Sequence, residues 1–135
     1  MNIGLILPCR NIEKGINLSN ILGLIELFPK VHFCFVNNGS TDNTFSILKY
    51  FKKESKNAVS ILDIKKTKND TDVMKAGARF LNSMEDVDYV QFTEVDFRMD
   101  FHELKRKIDK CLIVNEKDFY QKVVHKVRFS KRKLL

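Results

Sequence analysis

Val31-His32-Phe33-Cys34-Phe35-Val36, running into Asn37-Asn38-Gly39-Ser40-Thr41-Asp42-Asn43-Thr44, is the stretch whose reading decides the fold. Its first part is almost continuously apolar, the pattern of a strand buried on both faces, as in a parallel sheet. Gly39 lets the backbone turn sharply, and Ser40, Thr41 or Asp42 can cap a helix that begins there. In open α/β sheets, a polar, turning link at the C-terminal end of a buried strand is where ligands are held. Asn37 and Asn38 bring amide donors and acceptors to that place.

The same alternation extends in both directions. Ile3 to Leu7 is a short apolar run ended by Pro8, a buried first strand. Leu18, Ile21, Leu22, Ile25 and Phe28 form one helical face, stopped by Pro29. A second helix is expected from about Thr41 to Glu54, with Phe45, Leu48 and Phe51 inward, and a third strand from Ala58 to Ile64. After a polar link from Lys65 to Asp72, Val73, Gly77, Phe80, Leu81 and Met84 repeat at helical spacing, and Asp88 to Thr93 alternates as a fourth strand. Asp100, with Glu103 three residues on, can cap a last helix whose inward face is Phe101, Leu104, Ile108 and Cys111. Val123, Val127 and Phe129, alternating with Val124, Lys126 and Arg128, allow a fifth strand. Strands alternating with helices predict an α/β fold, a mostly parallel sheet with helices on both faces. One domain is expected over residues 1–129, followed by a basic C-terminal tail at 130–135.

The 135 residues are 44% hydrophobic and 30% charged, which places the chain among globular rather than disordered sequences. No apolar run approaches the roughly 20 residues needed to span a bilayer, and the N-terminus lacks the charged start of a signal peptide. The three cysteines, Cys9, Cys34 and Cys111, lie in apolar contexts without metal-ligand spacing, which favours reduced thiols and a cytoplasmic setting. The net charge of +7 is unevenly placed: from Lys105 to Leu135, 11 Lys or Arg face only Asp109, Glu116 and Asp118. Such a basic end suits an acidic surface, such as anionic lipid headgroups or nucleic acid; the plain alternative is a solvated terminus. No nucleic-acid partner is expected.

In a parallel sheet the C-terminal ends of the strands share one edge. The first, second and fourth strands all carry polar links there: Pro8-Cys9-Arg10-Asn11-Ile12-Glu13, the opening stretch, and Thr93-Glu94-Val95-Asp96. Two hard carboxylate ligands two residues apart, Glu94 and Asp96, suit Mg²⁺ or Mn²⁺ when diphosphate oxygens complete the shell, although most acid-x-acid pairs are solvated loop residues. The chain has no Walker loop and no G-x-G-x-x-G fingerprint. A receiver-type domain would want an acidic cluster after the first strand, where only Glu13 stands. His32, His102 and His125 have no Ser or Cys partner at catalytic spacing, and Cys9 reads as a small buried filler.

Taken together, a strand with P-x-x-N, a strand with x-x-G-S-T-D-x-T and a strand with acid-x-Asp resemble the family 2 glycosyltransferases of the GT-A fold, over about residues 2 to 112. The family's second motif usually reads D-D-G-S-T-D-x-T, so Asn37 and Asn38 depart from it, and its third reads D-x-D, so Glu94 departs from it. The resemblance implies that Pro8, Arg10, Asn11 and Glu13 line the nucleoside pocket and that Asn37 or Asn38 meets the base. It implies that Glu94 contacts ribose or metal, and that Asp96 holds a Mg²⁺ or Mn²⁺ ion. The link before the third helix matches the family less well; Lys68, Lys75 and Arg79 can meet phosphate by charge there, or serve as ordinary surface cations. The reaction implied is metal-assisted, inverting transfer of a sugar from a nucleotide sugar to the hydroxyl of a glycan or lipid-linked acceptor.

The family's general base lies well beyond the D-x-D motif. After Asp100 this chain offers Glu103, Asp109, Glu116 and Asp118, none in a family-like base motif. The donor half of the fold is therefore expected to be present and the acceptor half to be absent or abbreviated. Two functions fit: a glycosyltransferase, either a small enzyme or the donor-binding part of one, or a non-catalytic or truncated GT-A-like nucleotide-binding or interaction module.

Overall fold

The computed structural model of the chain describes residues 2–112. The expected fifth strand at 123–129 and the basic tail at 130–135 lie outside the described residues. Eight elements alternate: β1 (Ile3–Cys9), α1 (Leu18–Glu26), β2 (Val31–Asn38), α2 (Thr44–Glu54), β3 (Val59–Ile64), α3 (Asp70–Asn82), β4 (Tyr89–Phe92) and α4 (Phe101–Leu112). The four strands form one sheet in the order β3-β2-β1-β4, and every pairing is parallel. The chain thus moves outward from β1 to β3, then returns to lay β4 on the other side of β1.

Side-chain parity along the strands divides the core. Leu5 and Leu7 of β1 and Phe33 and Phe35 of β2 face α1, α2 and α4, meeting Ile21, Ile25, Leu48, Phe51, Leu104 and Ile108. Ile6, Cys34 and Val36 face the opposite way, onto Val73, Ala78 and Leu81 of α3. Burial on both faces explains why the strands read as near-continuous apolar runs. α3 lies very close to β1: a Cβ placed on Gly77 would stand 2.8 Å from Ile6 Cγ2, so only a glycine admits this approach.

Helix starts follow the polar residues expected, with two shifts. Asp100 Oδ1 accepts from Glu103 N–H (2.9 Å), and Asn69 Oδ1 accepts from Asp72 N–H (2.8 Å), so α3 begins at Asp70, inside the expected link. α2 begins at Thr44 rather than about Thr41. Its inward face is accordingly Thr44, Leu48 and Phe51, and Phe45, expected inside, is 36% exposed. The inward place next to β1 is needed by the Thr44 hydroxyl, and Phe45 is instead flanked by the ammonium groups of Lys49 and Lys65, 4.7 and 5.7 Å from its ring centre.

Two loop residues belong to the core: Val87, packed with the α3 side of the sheet, and Phe97. Phe97, just past β4, is buried with its ring 6.3 Å from that of Phe35. Burying a phenylalanine is worth about 1.5–3 kcal/mol, enough to anchor the segment that carries Glu94 to Arg98 against the sheet.

Candidate functional site

The links after β1 and β2 are laced together. Asn11 takes a left-handed backbone conformation (φ 51°), which asparagine tolerates better than most residues. Its Oδ1 accepts from Thr41 N–H (2.7 Å) and its own N–H donates to Ser40 Oγ (3.0 Å). Ile12 N–H donates to Thr44 Oγ1 (2.9 Å) and Glu13 N–H to Asp42 Oδ2 (3.2 Å). In return, Asn43 donates its side-chain amide to Glu13 Oε2 (2.9 Å) and its N–H to Glu13 Oε1 (3.3 Å). Asp42 Oδ1 also accepts Thr44 N–H (2.9 Å) just ahead of α2, whose N-cap is Asn43 rather than Ser40, Thr41 or Asp42 and makes no side-chain capping bond. Burial alone would raise the Asp42 pKa, but the hydrogen bonds from Thr44 and Glu13 outweigh it and hold the carboxyl below its ordinary value. The G-S-T-D-x-T run is thus spent on joining two loops, and Glu13 is spent with it.

The two asparagines have separate tasks. Asn38 is a two-way bridge: its amide donates to Lys68 C=O (2.9 Å) and its carbonyl accepts Lys68 N–H (2.9 Å). An ionised carboxylate at this position could only accept. Gly39, at φ 65°, completes the junction with N–H donation to Ile64 C=O (2.8 Å), and any side chain there would strike Thr67. Asn37 lies opposite Asp63 of β3 and donates to its Oδ1 (2.8 Å). Lys65 pairs with the other oxygen of Asp63, and that bond, ahead of the one from Asn37, lowers the Asp63 pKa against the effect of burial. A carboxylate at position 37 would face Asp63 directly, so the departure from D-D has a local electrostatic reason. Asn37 Oδ1 is buried and accepts no bond from the described residues.

On its other side, the β1 link forms one wall of an open cleft of about 450 Å³. Pro8, Arg10, Asn11, Ile12 and Lys14 line it from that side, and Val95, Asp96, Phe97 and Arg98 from the other. β1 and β4 are the neighbours between which the strand order reverses, so the cleft occupies the topological switch point at the C-terminal sheet edge. Of the residues expected at a nucleotide-sugar site, the cleft gathers Pro8, Arg10, Asn11 and Asp96. Glu13, Asn37, Asn38, Lys75 and Glu94 lie outside its lining. Sequence reasoning passed over Lys14 and Arg98; the signal for Arg98 was its spacing, two residues beyond Asp96 as Asp96 is two beyond Glu94.

The two acids do not converge. Asp96 is gripped by Arg98: Oδ1 accepts from the backbone N–H (3.0 Å) and from Nε (3.1 Å), and Oδ2 lies 3.4 Å from a terminal guanidinium nitrogen. Those bonds hold the Asp96 pKa low and raise that of Arg98. Glu94 instead meets Asp70 at the start of α3; a hydrogen bond between the two carboxyls, with burial and charge repulsion, raises the Glu94 pKa. Among the described residues no three His, Cys, Asp or Glu side chains gather in a way that would hold a metal ion. As arranged, the acid pair does not fit a divalent cation. Cys9 and Cys34 are buried free thiols, Cys9 raised well above its ordinary pKa and Cys34 pushed up to about 12 by burial, so neither serves as a nucleophile.

Comparison with solved structures identifies the architecture. The mannosyltransferase PcManGT from Pyrobaculum calidifontis, solved with GDP-Man and Mn²⁺, superimposes with a TM-score of 0.55 at 18% identity, over 89% of this chain and 37% of that one. TarS 1-349 from S. aureus, in complex with UDP-GlcNAc, gives 0.53 at 19% identity over 82% and 32%, and a further TarS structure gives 0.52 at 19% identity over 82% and 20%. The chain thus has the α/β fold of the GT-A glycosyltransferases and spans between a fifth and somewhat over a third of the length of these matches. No model of a known protein family matches the sequence, and no curated protein does.

Proposed function

We propose that the chain binds the nucleoside diphosphate of a nucleotide sugar in the cleft between the β1 and β4 links, as the donor-binding part of a glycosyltransferase. The observation that carries this reading is the cleft itself. It lies at the switch point of a GT-A-type sheet, and Arg10, Lys14 and Arg98 bring guanidinium and ammonium groups to it. Arginine forks match phosphate oxygens in pairs, and lysine adds a mobile point charge. Asn11, held by Ser40 and Thr41, keeps the loop in place.

Transfer to an acceptor hydroxyl is the further step. The chain's own contribution would be to hold the diphosphate as it becomes a leaving group, so that positive side chains offset the charge that develops there. The alternative, a nucleotide-binding module without transfer, is favoured by one observation: both D-D positions are amides, and Asn38 is fully used in bridging Lys68. Calorimetric titration with UDP-GlcNAc and GDP-mannose tests binding, and release of UDP or GDP in the presence of candidate glycan acceptors tests transfer. Binding of at least one donor is expected; failure of both donors to bind would overturn the reading. The basic surplus from Lys105 onward supports a cytoplasmic protein that touches anionic membrane peripherally. Flotation with phosphatidylserine vesicles should retain the full chain and lose a variant lacking residues 130–135; equal flotation, or none, would rule this out.

A further inference from the structure

The Asp96–Arg98 pair stands where the resemblance implies a metal ligand, and its geometry points elsewhere. Asp96 directs both carboxylate oxygens at Arg98, through the backbone N–H, Nε and a terminal guanidinium nitrogen. Those contacts already set a guanidinium against the Asp96 charge, so a cation at the same oxygens would stand beside a fixed positive group. Glu94, the other acid of the motif, lies against Asp70 rather than beside Asp96, and the described residues offer no third ligand. The positive charge in the cleft is already in place as side chains.

Arg98 is also supported for such a task. Its stem lies over the backbone of Gly15, where a Cβ would stand 3.2 Å from Arg98 Cδ and 3.3 Å from Cγ. Gly15 itself has φ 83°, so a side chain there would be strained as well as crowded. A guanidinium carries five N–H groups in a planar fork, and Asp96 engages only one edge of it. The remaining edge is available to an anion, with Arg10 and Lys14 on the opposite wall.

We propose that the diphosphate is held here without a divalent cation: Arg98, with Arg10 and Lys14, supplies the charge, and Asp96 is a positioning residue that orients the Arg98 guanidinium. The proposal rests on the reading of the cleft as a nucleoside-diphosphate site. It predicts opposite behaviour for two neighbouring residues. Removing Arg98 removes a ligand of the phosphates, whereas replacing the Asp96 carboxylate with an amide leaves an acceptor for the guanidinium and frees it of an anionic competitor.

The test is calorimetric titration of the full chain with UDP and with GDP, in EDTA and again in excess Mn²⁺, for the parent and for Arg98→Ala, Arg98→Lys and Asp96→Asn. Arg98 and Asp96 side chains are 68% and 50% exposed, so these variants should keep the parent unfolding midpoint. The expected results are a parent Kd that Mn²⁺ changes by less than about twofold, and a loss of roughly tenfold or more in Arg98→Ala under both conditions. Arg98→Lys should recover part of that loss, and Asp96→Asn should bind in EDTA at least as well as the parent. Binding that needs Mn²⁺, and that Asp96→Asn abolishes, would overturn the proposal while leaving the cleft a nucleotide site. Absence of UDP and GDP binding under every condition would overturn both.

Discussion

The link after β1 has two sides, and they are built in opposite ways. Towards β2 it is closed: the backbone N–H groups of Asn11, Ile12 and Glu13 and the side-chain oxygens of Asn11 and Glu13 all meet partners in Ser40 to Thr44. Towards β4 it is open: Arg10, Lys14 and Arg98 line a cleft in which Asp96 is the one acid among the described lining residues. One side has spent its hydrogen-bonding capacity on structure; the other has kept it. The difference teaches that a motif match marks a loop's construction before it marks a loop's chemistry. The G-S-T-D-x-T run earns its place as the fastening of a wall whose far surface meets the ligand.

The contrast can be broken most directly at Thr44, whose side chain is buried at the centre of the closed side. Thr44→Val keeps the shape but removes the acceptor for Ile12 N–H, and should lower the unfolding free energy by about 1–3 kcal/mol in urea titration. No loss would mean that the seam is decorative. Asn38→Asp should follow with a smaller loss in the same measurement, because the Lys68 N–H keeps its acceptor while the Lys68 carbonyl loses its donor and faces a carboxylate.

Acid titration sharpens the comparison further. Asp42 and Asp63 both have folded pKa values below the ordinary one, so each contributes stability that is present above the usual aspartate range and is lost as the pH falls through the lowered folded values. Asp42→Asn should flatten the acid limb of a plot of unfolding midpoint against pH; an unchanged limb would show that the seam does not hold its charge. The smallest structural effect belongs to the open side. Arg10→Ala and Lys14→Ala should leave the unfolding free energy within about 0.5 kcal/mol while weakening UDP binding, a separation that the closed side cannot show.

Much of the architecture was legible because strand and helix periods differ and because β1 and β2 are apolar on both faces. Asp100 as a cap and Leu48 and Phe51 as core were readable locally. What was not readable depends on strand register. Nothing near Asn37 in sequence announces Asp63, 26 positions on, and nothing near Asn38 announces the backbone of Lys68, 30 positions on. Phe45 was misplaced for a similar reason: periodicity alone does not reveal that a hydroxyl from Thr44 has taken the inward position against Ile12. The pair Glu94 and Asp96 looked convergent because only their spacing was visible, whereas Asp70 and Arg98 decide where each one turns.

The strand order carries a consequence for motion. β1 is held between two neighbours, while β4, four residues long, pairs only with β1 among the described residues. The walls of the cleft therefore differ in how easily they open: short outer strands unravel at lower free energy than central ones. In amide hydrogen exchange the β4 side should exchange faster than β1 in the free protein, Phe97 being the pin that limits the fraying. A ligand bridging the two walls would then announce itself chiefly as slowed exchange at residues 89–98. Occupancy of the cleft would be written in the breathing of its outer wall.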